Sequence, residues 1–66
     1  MQLTVNGEQQ QVSDGISLGA LLSSMDLVPE HVATMVNGEV ASRDRRPGII
    51  LNDGDVVEIL TLAAGG

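Results

Sequence analysis

Apolar and polar residues alternate strictly over residues 1–5, and this period of two predicts a half-buried strand. The dipeptide Asn6-Gly7 follows and is typical of a tight type I′ hairpin turn, because both of its positions need positive φ. The return strand, Glu8 to Val12, is mostly polar, so we expect it at a sheet edge or in contact with solvent. A second turn at Asp14-Gly15 ends this predicted hairpin.

The next segment has the periodicity of a helix. Four apolar residues have the i, i+3, i+4, i+7 spacing of one buried helical face, namely Leu18, Leu21, Leu22 and Met25. Ser17 precedes them and is a good N-cap, because its hydroxyl can accept a hydrogen bond from a backbone N–H in the first turn. We expect a helix of about ten residues. Pro29 either stops this helix or starts the next turn.

The second half of the chain reads as strands separated by turns. Val32 to Val36 has apolar residues at both parities, which favours a central strand. Asn37-Gly38 is a second turn of the same type, and residues 43–48 are predicted to form a polar loop. After the turn at residues 52–55, Val56 to Leu62 is predicted to be the last strand.

Hairpin, helix and a second group of strands predict an α+β fold, a mixed sheet of four to five strands packed on one short helix. The first and last strands both alternate well and could pair as central neighbours, which is the β-grasp arrangement. The pattern also permits other α+β orders. We therefore predict a β-grasp domain at residues 1–62 and a flexible Gly-Gly tail at residues 63–66.

Composition limits the possible functions. The chain has 66 residues, a net charge of −6, one His, no Lys, no Cys and no aromatic residue. The core must therefore be aliphatic, and neither a disulfide nor a thiolate metal site can form. The negative charge argues against nucleic acid and fits a partner that presents positive charge. Without a basic leader or a run of membrane length, a cytoplasmic protein that binds no membrane is the expectation.

The tail is the first candidate site. Gly65 and Gly66 lack a Cβ, so with Ala64 they form a thin thread whose carboxylate can enter a narrow channel in a partner enzyme. The alternative is a frayed terminus without a role. The second candidate is the last strand, because any face turned away from the helix would expose the aliphatic residues Val56, Leu60 and Leu62. Such a patch commonly marks a docking surface, unless loops or another molecule cover it.

Arg43, Arg45 and Arg46 are the only basic residues. They either pair with local acids or meet a carboxylate or phosphate on a partner, and we include Arg43 in the predicted docking surface. His31 has no second His or Cys with which to hold a metal. The acids Asp53, Asp55 and Glu58 lack the ligand spacing of a calcium loop. We therefore predict no metal site and no catalytic residue.

Several features together resemble one family. They are the Asn6-Gly7 turn, the Leu21-Leu22 helix, Val36 to Val40, Arg43, the run Asp53 to Ile59 and the terminal Gly65-Gly66. In order and spacing the whole chain resembles the ThiS family, the ubiquitin-like β-grasp sulfur carriers of thiamin biosynthesis. It departs from the family at residues 46–48, where many relatives carry an aromatic residue.

The resemblance implies a protein co-substrate rather than an enzyme, with no bound cofactor. An adenylating enzyme similar to ubiquitin-activating enzymes would use ATP and magnesium to activate the Gly66 carboxylate. A persulfide from a cysteine desulfurase route would convert it to a thiocarboxylate, and thiazole synthase would receive the sulfur. Ala64, Gly65 and Gly66 would thread the partner's channel while Leu60 and Leu62 dock.

Three alternatives stay open at this point. The small subunit of molybdopterin synthase has the same chemistry with another acceptor, but those chains are usually longer and richer in Phe. A non-covalent β-grasp binding module would have no reason to end in Gly65-Gly66. A third possibility is a ubiquitin-like modifier that is joined to Lys side chains.

Overall fold

A computed structural model describes residues 1–62, and the predicted tail at residues 63–66 lies outside the described residues. The described part forms five strands, one α-helix and two short 3₁₀ helices. In chain order these are β1 (Gln2–Val5), β2 (Glu8–Gln11), α1 (Leu18–Ser24), the first 3₁₀ helix (Pro29–His31), β3 (Val32–Val36), β4 (Glu39–Ala41), the second 3₁₀ helix (Arg43–Gly48) and β5 (Val56–Thr61).

The five strands form one mixed sheet in the order β2-β1-β5-β3-β4. β1 and β5 are parallel, with Thr4 opposite Val56 and Val5 opposite Val57, whereas the other neighbouring strands are antiparallel. The first and last strands are therefore central neighbours, which confirms the β-grasp prediction. β2 lies at one edge of the sheet, as its polar sequence predicts.

Both Asn-Gly dipeptides form the predicted tight turns. Asn6 and Gly7 have φ values of 50° and 82°, and Asn37 and Gly38 have 51° and 84°. All four residues thus occupy the left-handed region that a type I′ turn requires and that asparagine and glycine tolerate best. Each turn joins two antiparallel strands of the sheet.

The core lies between α1 and one face of the sheet. It is wholly aliphatic and contains Leu3, Val5, Leu18, Leu21, Leu22, Val32, Ala41, Leu51, Val57 and Ile59. Two backbone hydrogen bonds fix the start of α1 against the segment before β5: Leu18 N donates to Ile49 O at 2.8 Å and Leu51 N donates to Ile16 O at 2.9 Å. Ser17 caps the helix as predicted, since its Oγ accepts from Ala20 N at 3.0 Å.

α1 has seven residues, fewer than predicted. Pro29 does not end it but begins the first 3₁₀ helix, which is the second of the two predicted alternatives. Asp26 adopts a φ of 57°, and two hydrogen bonds close the helix end: Asp26 N donates to Ser23 O, and Leu27 N donates to Leu22 O. These are the bonds of a Schellman motif, a common helix terminator. No helix within residues 1–62 is long and apolar enough to cross a membrane.

The prediction of a polar loop at residues 43–48 is wrong, because this segment is the second 3₁₀ helix. It packs closely on α1: a Cβ added to Gly19 would lie 3.3 Å from the Cα and N of Pro47. A glycine therefore occupies the helix position that faces this backbone, although glycine is a poor helix former.

Candidate functional site

β5 presents two different faces, as the alternation in its sequence predicts. Val57 and Ile59 are buried under α1, while Val56, Leu60 and Leu62 are 43%, 60% and 49% exposed on the opposite side. The predicted sheet residues of the docking surface therefore share one exposed face of the central strand, directly before residues 63–66.

The register extends this apolar surface over the neighbouring strands. Ala33 lies opposite Leu60, and Met35 lies between Glu58 on β5 and Val40 on β4. We call the apolar surface formed by the half-buried Ala33 and Met35 and the exposed Val40, Val56, Leu60 and Leu62 the open face. Towards β2 the same side of the sheet becomes polar, because Gln2 and Thr4 pair with Gln11 and Gln9. The open face is thus an aliphatic surface that carries the exposed Glu58 between Val56 and Leu60 and has a polar border. Apolar area rimmed and punctuated by polar groups is a composition suited to docking.

Arg43 does not belong to this surface. It is exposed on the second 3₁₀ helix and lines a groove with α1 residues, among them Gly19 and Ser23, on the helix-covered side of the sheet. The predicted docking set is therefore divided between two sides of the molecule. The reason is the second 3₁₀ helix, which carries residues 43–48 onto α1.

Arg46 corrects another expectation, since it is buried and forms no ion pair with an acid among residues 1–62. The side chain is only 4% exposed, and its guanidinium donates to Thr34 Oγ1 (3.1 Å), Pro29 O (3.0 Å) and Val32 O (2.8 Å). Thr34 Oγ1 in turn donates to Ala41 O at 2.9 Å. Arg46 thus fastens the second 3₁₀ helix to β3, and Thr34 extends the network to β4.

Two residues with a clear structural role were interpreted from the sequence only as turn formers. Asn6 Oδ1 accepts from Ile59 N at 2.8 Å, and Asn6 Nδ2 donates to Ile59 O at 3.1 Å. Asn37 Oδ1 accepts from Val56 N at 2.9 Å, and Asn37 Nδ2 donates to Asp55 Oδ1 at 3.0 Å. The two asparagines therefore hold β5 from both sides. The repeated Asn-Gly dipeptide was the available signal, but it does not reveal these distant partners.

The acidic turn before β5 is explained by its hydrogen bonds. Asp53 Oδ1 accepts from Gln2 N at 2.7 Å, and Asp55 Oδ2 accepts from Asn52 N at 2.8 Å. His31 is exposed, and its backbone carbonyl accepts from Leu62 N. Within residues 1–62 no group of three His, Cys, Asp or Glu side chains is placed to hold a metal ion.

Ala64, Gly65 and Gly66 lie outside the described residues, so the tail remains a prediction. The described part ends at Leu62, whose backbone N–H donates to the carbonyl of His31, the residue directly before β3, at 2.8 Å. The central strand therefore leads from the core, along the open face, to the position where the predicted tail begins.

A β-grasp sheet with an apolar open face on its last strand has the architecture of ubiquitin-like proteins. The ThiS family model matches residues 2–66. The chain therefore belongs to the ThiS family of sulfur carriers, as the resemblance in its sequence predicted.

The chain is also similar to solved structures and to curated proteins. The chain superposes on the crystal structure of the thiamine biosynthesis protein ThiS from Geobacter metallireducens with a TM-score of 0.86 and 36% identity, and each chain is covered completely. It is 32% identical to a thiazole synthase of Paramagnetospirillum magneticum over all 66 of its residues, but spans only 20% of that protein's length. It is also 32% identical to the uncharacterized protein ycf40 of Porphyra purpurea and covers 93% of it.

Proposed function

We propose that this chain is a protein co-substrate that carries sulfur on the carboxyl group of Gly66 for formation of the thiazole ring of thiamin. The observation that carries the proposal is the match of the ThiS family to residues 2–66, on a domain whose last strand joins an apolar face to the tail. The relatives named for thiamine biosynthesis and for thiazole synthase favour a thiazole acceptor over a molybdopterin acceptor.

The chemistry begins with a carboxylate that is too poor an electrophile to accept sulfur. In the proposed reaction, an adenylating enzyme of the ubiquitin-activating type uses ATP and magnesium to join AMP to the Gly66 carboxylate. Pyrophosphate is released in this step. A persulfide sulfur from a cysteine desulfurase route attacks the carbonyl carbon and displaces AMP. A thiol supplied by the partner proteins then attacks the outer sulfur of the resulting acyl disulfide. It forms a disulfide with that sulfur and releases the thiocarboxylate, whose sulfur passes to thiazole synthase.

The chain's own residues supply position rather than catalysis. The open face, with Leu60 and Leu62 nearest the tail in sequence, docks on the partner and excludes water. Ala64, Gly65 and Gly66 enter the partner's channel because the glycines lack side chains that would block it. The carrier itself binds no cofactor in this proposal, since ATP and magnesium belong to the adenylating enzyme. We place this reaction in the cytoplasm.

The experiment is an intact-mass measurement after incubation with the adenylating enzyme, ATP, magnesium and a sulfur donor. We expect one oxygen at Gly66 to be replaced by sulfur. A chain with one residue added after Gly66 is the matched control and should keep its fold but accept no sulfur. An unchanged mass for the unaltered chain, with enzymes shown to be active on another carrier, would contradict the proposal.

A further inference from the structure

The two edges of β5 differ in how far their backbone groups are hydrogen-bonded to neighbouring strands. Leu62 N donates to His31 O at 2.8 Å, and Asn37 N donates to Val56 O at 2.7 Å at the other end of the ladder with β3. Hydrogen-bonded and non-bonded pairs alternate along an antiparallel ladder. Even-numbered residues of β5 therefore bond to β3, and the odd-numbered Val57, Ile59 and Thr61 direct their backbone groups towards β1.

On the β1 side, the hydrogen-bond partners of the β5 backbone end before β5 itself ends. Val57 O accepts from Asn6 N at 3.0 Å, which is the last contribution of the β1 backbone. The chain then turns at Asn6-Gly7 into β2, on the far side of β1 from β5. At Ile59 the Asn6 side chain takes the place of a strand, since it both donates and accepts. At Thr61 no residue within 1–62 is paired with the N–H or C=O on this side.

We propose that the Thr61 edge of β5 is a strand-addition site, where an extended segment of the adenylating enzyme forms hydrogen bonds with the Thr61 backbone. Unpaired strand edges are ready templates for such pairing. Leu60 and Leu62 flank Thr61 and are both exposed, so the added segment carries an aliphatic side chain on either side of its paired residue. The inference rests on the proposed carrier function, because it requires that partner.

This arrangement would align the tail as well as bind the partner. Pairing at Thr61 fixes β5 two residues before residue 63, while Asn6 fixes it at Ile59. A segment bonded at this edge runs beside the chain that leads to Gly66. Backbone pairing would therefore set the direction in which the tail enters the partner, and the open face would supply apolar contact area.

The test uses Thr61→Pro and its matched control Thr61→Ala. Proline removes the N–H at the unpaired edge and puts a ring there, but breaks no bond to β3, whereas alanine keeps the N–H. We expect Thr61→Pro to raise the dissociation constant for the adenylating enzyme about tenfold or more, and Thr61→Ala to change it less than about threefold. Thermal unfolding checks that both variants fold.

Amide exchange in the unaltered chain gives a second measurement that needs no variant. The Thr61 N–H should exchange fast in the free carrier and slow down in the complex, whereas Leu62 N–H is protected in both states. Equal affinities of the two variants, or a Thr61 amide that stays unprotected in the complex, would overturn strand addition. The proposed carrier function is tested separately by ATP–pyrophosphate exchange, which measures adenylation of the unaltered chain. A lack of exchange would contradict the carrier function rather than strand addition.

Discussion

Arg46 brings a charge into the protein interior without a carboxylate beside it. Its three hydrogen-bond acceptors are neutral oxygens of Thr34, Pro29 and Val32, and the only ion pair among residues 1–62 joins the Met1 ammonium to Asp14. A buried guanidinium is tolerated where its donors are satisfied, because each unmet donor or acceptor costs free energy. The planar fork of arginine donates to the three acceptors from three separate nitrogens, whereas lysine would have to reach them all from one.

We therefore predict that Arg46→Met lowers the free energy of unfolding by about 2–4 kcal/mol, since it leaves three oxygens without their donor. Arg45→Met is the matched control: Arg45 is exposed on the same 3₁₀ helix, and its replacement should change stability by less than about 0.5 kcal/mol. Urea denaturation followed by circular dichroism measures both variants. Equal losses for the two variants would refute the role assigned to Arg46.

A second prediction at this scale concerns Asn6. Asn6→Asp keeps a side chain that tolerates positive φ but replaces the Nδ2 donor with an oxygen facing Ile59 O. We expect a loss of about 1–3 kcal/mol and faster exchange of the Ile59 amide in particular.

The control for Asn6→Asp is Asn52→Asp, which makes the same change at an exposed residue whose side chain has no hydrogen bond within residues 1–62. High ionic strength screens the added repulsion from the neighbouring acids. If Asn52→Asp were as destabilising as Asn6→Asp under these conditions, charge rather than the lost hydrogen bond would explain both.

At the scale of elements, short sequence patterns predicted those structural features that depend on neighbouring residues. The strands, the two Asn-Gly turns and the Ser17 cap were predictable because each depends on neighbouring residues. The end of α1 was not, because the sequence offers Asp26, an uncommon residue for the left-handed position of a Schellman motif, where glycine is usual. The second 3₁₀ helix was missed for another reason: its stability comes from Arg46 contacts with residues far away in sequence.

Asp26 is also a site where the helix can be improved. Its carboxylate lies at the negative end of the helix dipole, and its φ of 57° is strained for a residue with a Cβ. We predict that Asp26→Asn stabilises the protein by about 0.5 kcal/mol through loss of charge. Asp26→Gly should stabilise it by about 1 kcal/mol through relief of strain as well. Thermal and urea unfolding would measure both, and a destabilised Asp26→Gly variant would contradict the assignment of the helix end.

At the scale of the whole molecule, alternation predicted that Val56, Leu60 and Leu62 would share an exposed face. It did not predict that Ala33, Met35 and Val40 would join them, because strand register depends on long-range pairing. Nor did it separate Arg43 from this surface, since that depends on where the second 3₁₀ helix packs. The chain has a net charge of −6. We therefore expect the docking surface of the partner to carry positive charge around an apolar centre.

The open face allows a closely matched test of docking. Leu60 and Ile50 are exposed aliphatic residues of equal size, 60% and 56% exposed, but only Leu60 lies on the open face. We predict that Leu60→Ser weakens binding to the adenylating enzyme about tenfold or more, because a leucine buried at an interface contributes about 1.5–3 kcal/mol. Ile50→Ser should change affinity less than about threefold. Calorimetric titration would measure both, with unfolding curves to confirm that each variant is folded, and equal affinities would show that docking uses another surface.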